Sequence, residues 1–482
     1  MKKLVIDPVT RVEGHGKVTI HLDENNKVKD SFFHIVEFRG FERFIQGHPY
    51  WEAPVLVQRL CGICPVSHHL AAAKAIDQIV GVDPEDLSFP AQKIRKLLHF
   101  GQVFQSHALH FFYLASPDLL FGVNAAPRKR NIAEVALHHT DLAKKGILMR
   151  KFGQEIIRVI AGKRIHGISA VPGGVHKKLT IKDRDYFLDS KDIPSIDAMI
   201  NWTSEVIEFL KGYHDVNKSW LDEFAEYPSG HLGLVNKENG FLELYDGSLR
   251  AIDANGKVTL NDIPNEEYIQ HFYEGVEKWS YLKFPYLKDV GRDKGWNRVG
   301  PLARLNVCNG IETPLAEEQR IIYKLSTNGK VNNKTMYSHW ARLIEMLYCA
   351  EMMKKLLNDV DILSNDLVRK GERRSEGIGI IEAPRGTLIH HYEVDNRDRI
   401  TRCNLIVSTT HNNEPMNQAV KWVANNVISG EPKITEGMMN QVEVAIRAYD
   451  PCLSCATHAI GQMPLHVTLI DHNGELIDER KR

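Results

Sequence analysis

The run Cys61-Gly62-Ile63-Cys64-Pro65-Val66-Ser67-His68-His69-Leu70-Ala71-Ala72-Ala73-Lys74-Ala75 sets two cysteines in a tight turn directly ahead of an alanine-rich segment with strong helix preference. A long helix therefore begins at a cysteine loop. The same spacing returns near the other end of the chain in Cys452-Leu453-Ser454-Cys455. In each pair a turn, helped by Gly62 in the first and by Pro451 ahead of the second, aims two sulfurs at one point, so the two pairs suggest a four-thiolate metal site. Sulfur ligands restrict the ion to zinc, iron or nickel rather than magnesium or calcium. Structural zinc is the plain reading, but zinc ribbons and fingers place their pairs within a few tens of residues, whereas most of the chain separates Cys64 from Cys452. A metal held that way joins both ends of a large fold and sits in its core. Glu13, Glu42, His68, Arg385 and His458 lie in further motif-like neighbourhoods, and a closed structural site needs little beyond its ligands. A catalytic or redox centre and a structural zinc both stand at this point.

Outward from the cysteines, helical spacing runs over residues 52–80, 91–114, 132–161, 195–213, 338–357, 413–427 and 435–449, each long enough to cross a domain. Residues 17–38 alternate instead (Val18, Ile20, Leu22, then Phe32, His34, Val36, Phe38) around Asp23-Glu24-Asn25-Asn26, which predicts an N-terminal hairpin. Residues 228–262, punctuated by Gly230, Gly233, Gly240, Gly247 and Gly256, predict a small β-rich insertion. The expected class is mainly α (α+β): a long-helix bundle core with an N-terminal β-hairpin or sheet and small β insertions. No repeat, low-complexity tract or Pro/Ser-rich linker divides the chain, so it reads as one continuous domain with insertions.

Composition excludes several classes. The 482 residues carry 61 basic and 61 acidic side chains, and a net charge of zero provides no long-range field for nucleic acid or an anionic membrane. Apolar runs such as residues 53–57 stop far short of the ~20 residues that cross a bilayer, and the N-terminus shows no export signal, so membrane insertion is not expected. Seven cysteines in a chain of this length do not resemble a secreted disulfide framework; they read as thiols or metal ligands, and the location as cytoplasmic.

Five segments, in order, carry a resemblance: Arg11-Val12-Glu13-Gly14-His15, Arg39-Gly40-Phe41-Glu42, Arg59 to His68, Glu382-Ala383-Pro384-Arg385-Gly386, and Asp450-Pro451-Cys452-Leu453-Ser454-Cys455-Ala456-Thr457-His458. Together they resemble the signatures of the nickel–iron hydrogenase large subunit, over essentially the whole chain. Residues 37–42, 166–174 and 450–459 are most similar to the soluble, NAD-reducing cytoplasmic group. The resemblance implies that fold, and a reaction in which H2 is reversibly split into protons and electrons.

It also implies roles. Cys61 and Cys452 would be terminal nickel thiolates, and Cys64 and Cys455 would bridge nickel to an iron carrying CO and CN ligands. Glu13 would accept the first proton, with a salt bridge to Arg11 or Arg43 as the alternative. Arg385 would set a cation over the open metal face and donate to the iron ligands. His68, four residues after Cys64, would donate to that sulfur, and Thr409 to a diatomic ligand. Glu42 and His458, with a carbonyl from residues 404–407, resemble the ligands of a Mg2+ site. Asp118 and Glu37 are weaker candidates, as a supporting acid and a subgroup carboxylate.

Cys308, Cys349 and Cys403 are isolated and read as buried small hydrophobes, and Val171-Pro172-Gly173-Gly174-Val175 lacks the order of a phosphate loop. With no further cluster motif here, electrons need partners. The resemblance implies a small subunit with an iron–sulfur cluster, diaphorase subunits that bind flavin (FMN) and NAD, and a maturation protease and nickel chaperones. Residues 459–482 would be an extension removed once nickel is in place, although Leu465, Val467 and Leu469 alternate as an ordinary strand would. The rival readings are a deazaflavin- or disulfide-reductase-linked hydrogenase and a noncatalytic zinc scaffold related to the quinone-site subunit of complex I.

Overall fold

The computed structural model describes residues 2–457 and the strands His466–Ile470 and Leu476–Lys481. The helix that starts at the first cysteine pair, Pro65–Ile79, is buried along its entire length. It lies against the strands Glu376–Ala383 and Gly386–Val394 and touches the helix Phe89–Leu109. That burial explains why residues 65–79 have no polar stripe: a helix covered all round needs no amphipathic face. Proline occupies its first turn, where the missing N–H costs nothing.

The sheet beneath this helix is three-stranded and antiparallel, Glu376–Ala383, Gly386–Val394 and Ile400–Ile406 in order. Its first strand is buried from Gly377 onward. The helix comes so close that a Cβ at Gly377 would lie 1.9 Å from the Ala75 carbonyl oxygen, and one at Gly379 2.0 Å from that of Ala71. Glycine is the residue that fits at both positions.

Around this unit the bundle is built from Phe89–Leu109, Thr140–Ala161, Ile196–Glu223 and Ser338–Leu357, with Phe89–Leu109 packed on Thr140–Ala161 and both Phe89–Leu109 and Ile196–Glu223 on Ser338–Leu357. The expected α+β class and long-helix core are the architecture observed. At the N-terminus, the predicted hairpin is Gly16–Leu22 with Val28–Ile35, and Lys2–Ile6 adds a third strand. The region expected to be β-rich forms Gly230–Val235, Ser248–Ile252 and Val258–Ile263, joined in parallel by Asn297–Arg298. Residues 171–175 form a short hairpin, Ala170–Val171 with Gly174–Val175, as a structural turn should.

Several boundaries differ from expectation. The stretch 132–161 is two helices, Ile132–His138 and Thr140–Ala161, because His139 leaves the helical region at φ −132°, ψ 52°. The helix expected to stop at Tyr213 runs to Glu223, through a kink at Asn217 whose side-chain amide donates to the Tyr213 carbonyl. Phe89–Leu109 and Asn413–Val423 each pass into a wider π turn, at His110–Ala115 and Ala424–Ile428. Among the described residues, no helix is long and apolar enough to cross a membrane.

Candidate metal centre

Two short turns deliver the cysteines. Cys61 ends a 3₁₀ turn, Val57–Leu60, in extended conformation, and Cys64 precedes the Pro65–Ile79 helix. The amides of Ile63 and Cys64 both point at Cys61 Sγ, at 3.1 and 3.3 Å. Cys452 leads into the turn of helix Leu453–Ala456. Cys61 Sγ then lies 3.3 Å from Cys452 Sγ, and Cys64 Sγ 3.3 Å from Cys455 Sγ; first meets first and second meets second. All four sulfurs lie within 4.8 Å of one another and are buried. No disulfide forms, since a bonded pair sits at ~2.05 Å.

A buried group of four thiols strains its own protonation. Hydrogen bonds from Cys452, Cys455 and Cys64 hold Cys61 well below the ordinary thiol pKa, while burial pushes Cys452 and Cys455 well above it. Only a cation among the sulfurs lets all four act as thiolates, so the donor set fits a soft metal.

The Glu13 backbone bridges to Cys452, its carbonyl accepts from Leu453 N at 3.0 Å, and Oε2 accepts from Ser454 N at 3.0 Å. Gly14, at φ +82°, admits this approach: a Cβ there would sit 2.8 Å from Leu453 Cβ. The alternative of a salt bridge from Glu13 to Arg11 or Arg43 does not describe the contacts seen, because Arg11 pairs with Asp118 and Arg43 with Gln46.

Arg385 occupies the tip of the two-residue turn between Glu376–Ala383 and Gly386–Val394. Its Nε donates to the Asp450 carbonyl at 2.6 Å and Nη2 to Asp450 Oδ1 at 3.1 Å, with Nη1 3.5 Å from Ser106 Oγ. Burial opposes its charge, but Asp450 and the sulfurs of Cys452, Cys64 and Cys61 outweigh burial and raise the guanidinium above its ordinary pKa. Burial raises the Asp450 carboxyl, against the pull of Arg385 and Arg342.

Thr409 Oγ1 accepts the Cys452 amide at 2.9 Å and retains its own proton to donate. His68 Nδ1 meets His390 Nε2 at 3.1 Å. Glu42 Oε1 accepts from Leu405 N at 2.8 Å, which brings it to the strand expected beside it. Thr457 O receives the amides of Arg39 and Gly40, tying the C-terminal end to the same corner. His458 and most of 459–482 lie outside the described residues; within that stretch His466–Ile470 pairs with Leu476–Lys481.

Two weaker candidates find other employment. The Asp118 carboxylate is taken by Arg11, Arg447 and Asn440, in an ion network that includes Glu443. Glu37 pairs with His15 at the surface. The three isolated cysteines are buried as expected, and burial lifts Cys308 to about 11 and pushes Cys349 and Cys403 well above the ordinary thiol pKa. His69 is structural: Nδ1 donates to the Pro54 carbonyl while Nε2 accepts from the Ser169 and Ala170 amides. Glu376, His391 and Glu393 also cluster, but Asn404 donates to Tyr268, Tyr268 bonds His391, His391 bonds Glu376, and Arg402 pairs with Glu393, so hydrogen bonds and an ion pair account for that group. Sequence reasoning assigned no role to Ser106, Asp450 or Arg304. Asp450 stands within a quoted motif, but no spacing rule marks the other two.

A model of the nickel-dependent hydrogenases matches residues 39–145 and 244–458, and a HoxL-like model matches residues 3–38. The beta subunit of the NAD-reducing hydrogenase HoxS of Cupriavidus necator is 49% identical over 100% of both chains. One subunit of the F420-non-reducing hydrogenase vhc of Methanococcus voltae is 42% identical over 99% of each chain. A crystal structure of an NAD+-reducing [NiFe]-hydrogenase in the H2-reduced state superimposes with a TM-score of 0.92 at 51% identity, over 95% of this chain and 100% of that one.

Proposed function

The chain belongs to the nickel-dependent hydrogenase family, and from that premise we propose that it is the large subunit of a soluble, cytoplasmic hydrogenase that splits H2 reversibly and passes the electrons through partner subunits to NAD+. The observation that carries this reading is the convergence of four buried sulfurs from opposite ends of the chain. Bound there, a nickel–iron centre with CO and CN ligands on iron would supply an open metal face at which H2 is polarised and cleaved heterolytically. Cys61, Cys64, Cys452 and Cys455 would hold that centre, with Cys61 and Cys452 as ligands of nickel and Cys64 and Cys455 shared with iron, as the family resemblance implies.

The protein's own residues supply the rest. Arg385, pinned by Asp450, holds a fixed positive charge beside the sulfurs without reorganising during the reaction. Glu13, one oxygen anchored by the Ser454 amide, has the other to take the proton. Thr409 orients Cys452 and can donate toward the metal face, and His68 would donate to the Cys64 sulfur. Glu42 and His458 would hold Mg2+ and close the C-terminal end onto the core. The turn carrying Cys61 and Cys64 reaches the surface at Gly62, which gives the iron–sulfur cluster of a small subunit its approach. Flavin and NAD would sit in diaphorase partners.

The test is expression with the partner subunits, metal analysis and infrared spectroscopy. About one nickel and one iron per chain with carbonyl and cyanide bands, together with H2-dependent NAD+ reduction, supports the reading. Zinc alone overturns it, and reduction of a deazaflavin or a disulfide reductase instead of NAD+ overturns the assigned acceptor. Residues 1–458 form the mature domain in this reading, with 459–482 removed by a maturation protease after nickel insertion; an intact Arg482 end in active enzyme, seen by mass spectrometry, refutes that.

A further inference from the structure

Arg385 acts from a turn of only two residues, so whatever fixes the carbonyls of that turn fixes the direction of the guanidinium. The group that does so is Arg304, on the helix Pro301–Val307 and fully buried. Its Nη1 donates to the Ala383 carbonyl at 3.0 Å and its Nη2 to the Pro384 carbonyl at 3.1 Å, the two residues immediately before Arg385. The other donors grip carboxylates: Nη1 to Glu382 Oε2 at 2.5 Å, Nη2 to Glu345 Oε1 at 2.5 Å and Nε to Glu345 Oε2 at 2.6 Å. A guanidinium has five N–H donors, and all five are engaged.

The carboxylates are themselves immobilised. Glu382 Oε1 accepts from Leu234 N and Thr387 Oγ1, and Glu345 Oε1 meets His107 Nε2 at 2.8 Å. From the same helix start, Gly300 presses on the turn: a Cβ there would lie 2.9 Å from the Arg385 carbonyl oxygen. None of these groups touches the sulfur cluster, yet together they leave the Ala383-Pro384-Arg385 backbone one position to occupy.

We propose that Arg304 is a positioning residue for the reaction, which through the Ala383 and Pro384 carbonyls aims Arg385 at the four-sulfur site. This rests on the role given to Arg385 above. Lysine cannot replace it, since an ammonium carries three donors around one point and cannot bridge two carbonyls and two carboxylates at once.

The experiment uses the complete enzyme with its partners and compares Arg304→Lys, Arg385→Lys and the double variant. Arg385→Lys should shift the infrared bands of the diatomic ligands and lower kcat; if it does neither, the role of Arg385 fails and not the link to Arg304. With that established, Arg304→Lys should retain nickel, shift the same bands in the same direction, and lower kcat about 10- to 100-fold with KM for H2 little changed. Added to Arg385→Lys it should change little, because both act through one group. Bands at the parent positions in folded Arg304→Lys enzyme, or effects that multiply in the double variant, overturn the proposal. Should Arg304→Lys not fold, Glu382→Gln is read instead: it loosens one anchor of the same guanidinium while leaving an oxygen for Leu234 N, and unshifted bands in it overturn the proposal equally.

Discussion

Replacing Gly379 with alanine tests whether the helix Pro65–Ile79 sets the metal centre from a distance. The new Cβ would sit 2.0 Å from the Ala71 carbonyl oxygen and 2.9 Å from Ala75 N, against an ordinary contact of 3.4 Å or more. Both clashing atoms are backbone of a buried helix, so the strain cannot be relieved by a rotamer change; helix and strand must separate by about 1.4 Å at that point. Overpacking of this kind costs about 3 kcal/mol. The helix begins directly after Cys64, so displacing it pulls Cys64 Sγ away from Cys455 Sγ, now 3.3 Å apart. Gly379→Ala should therefore lower the thermal unfolding midpoint by roughly 3 °C and reduce the nickel retained per chain after dialysis against a chelator. Calorimetry and elemental analysis on the same preparation read both. A variant with parent stability and parent nickel content would refute the claim that this close contact places the cysteines.

Cys64→Ala should abolish stable nickel binding while leaving most of the fold, since the side chain removed is small; elemental analysis and circular dichroism check the two halves. Glu13→Gln keeps an oxygen for the Ser454 amide but cannot take a proton, so nickel content should be unchanged and H2/D2 exchange should fall about 10²- to 10⁴-fold. Acid stability follows from the buried histidines. Burial lowers His69 and His99 to about 4 and His231 and His411 to about 3, each from 6.5. The unfolded chain therefore binds more protons than the folded one below pH 6.5, and stability present above that pH is lost progressively as pH falls toward 4 and 3. Denaturant midpoints should begin to drop near pH 6.5, and a flat profile down to pH 4.5 would contradict this.

The two CxxC pairs were legible because their chemistry is local: a backbone turn spanning three residue steps brings two sulfurs together whatever the rest of the chain does. The recurrence of that turn at both ends, with the surrounding motifs, was enough to predict a metal site in the core, a family and a mainly helical class. Less was legible in the central sheet. Its strands Glu376–Ala383 and Gly386–Val394 are buried on both faces, so no alternation marks them, and of the whole element only the Ala383-Pro384-Arg385-Gly386 turn and residues 404–407 drew notice. The helix break at His139 was likewise hidden, because apolar periodicity continues across it, and the continuation from Tyr213 to Glu223 was missed because only His214 and Leu221 are buried there.

The sequence by itself determined which atoms can hold the metal, since two CxxC pairs follow from residue type and short spacing, and the family resemblance of the surrounding motifs pointed to Glu13 and Arg385 as the carboxylate and guanidinium beside it. Tertiary structure alone decided that Ser106 lies under Arg385, that Asp118 serves an ion network instead, and that Arg304 grips the turn before Arg385. Those partners stand tens to hundreds of positions apart in the chain. What brings them within reach of one another is the packing of buried helices on a buried sheet, and the directions in which a packed core points its side chains have no counterpart in local spacing.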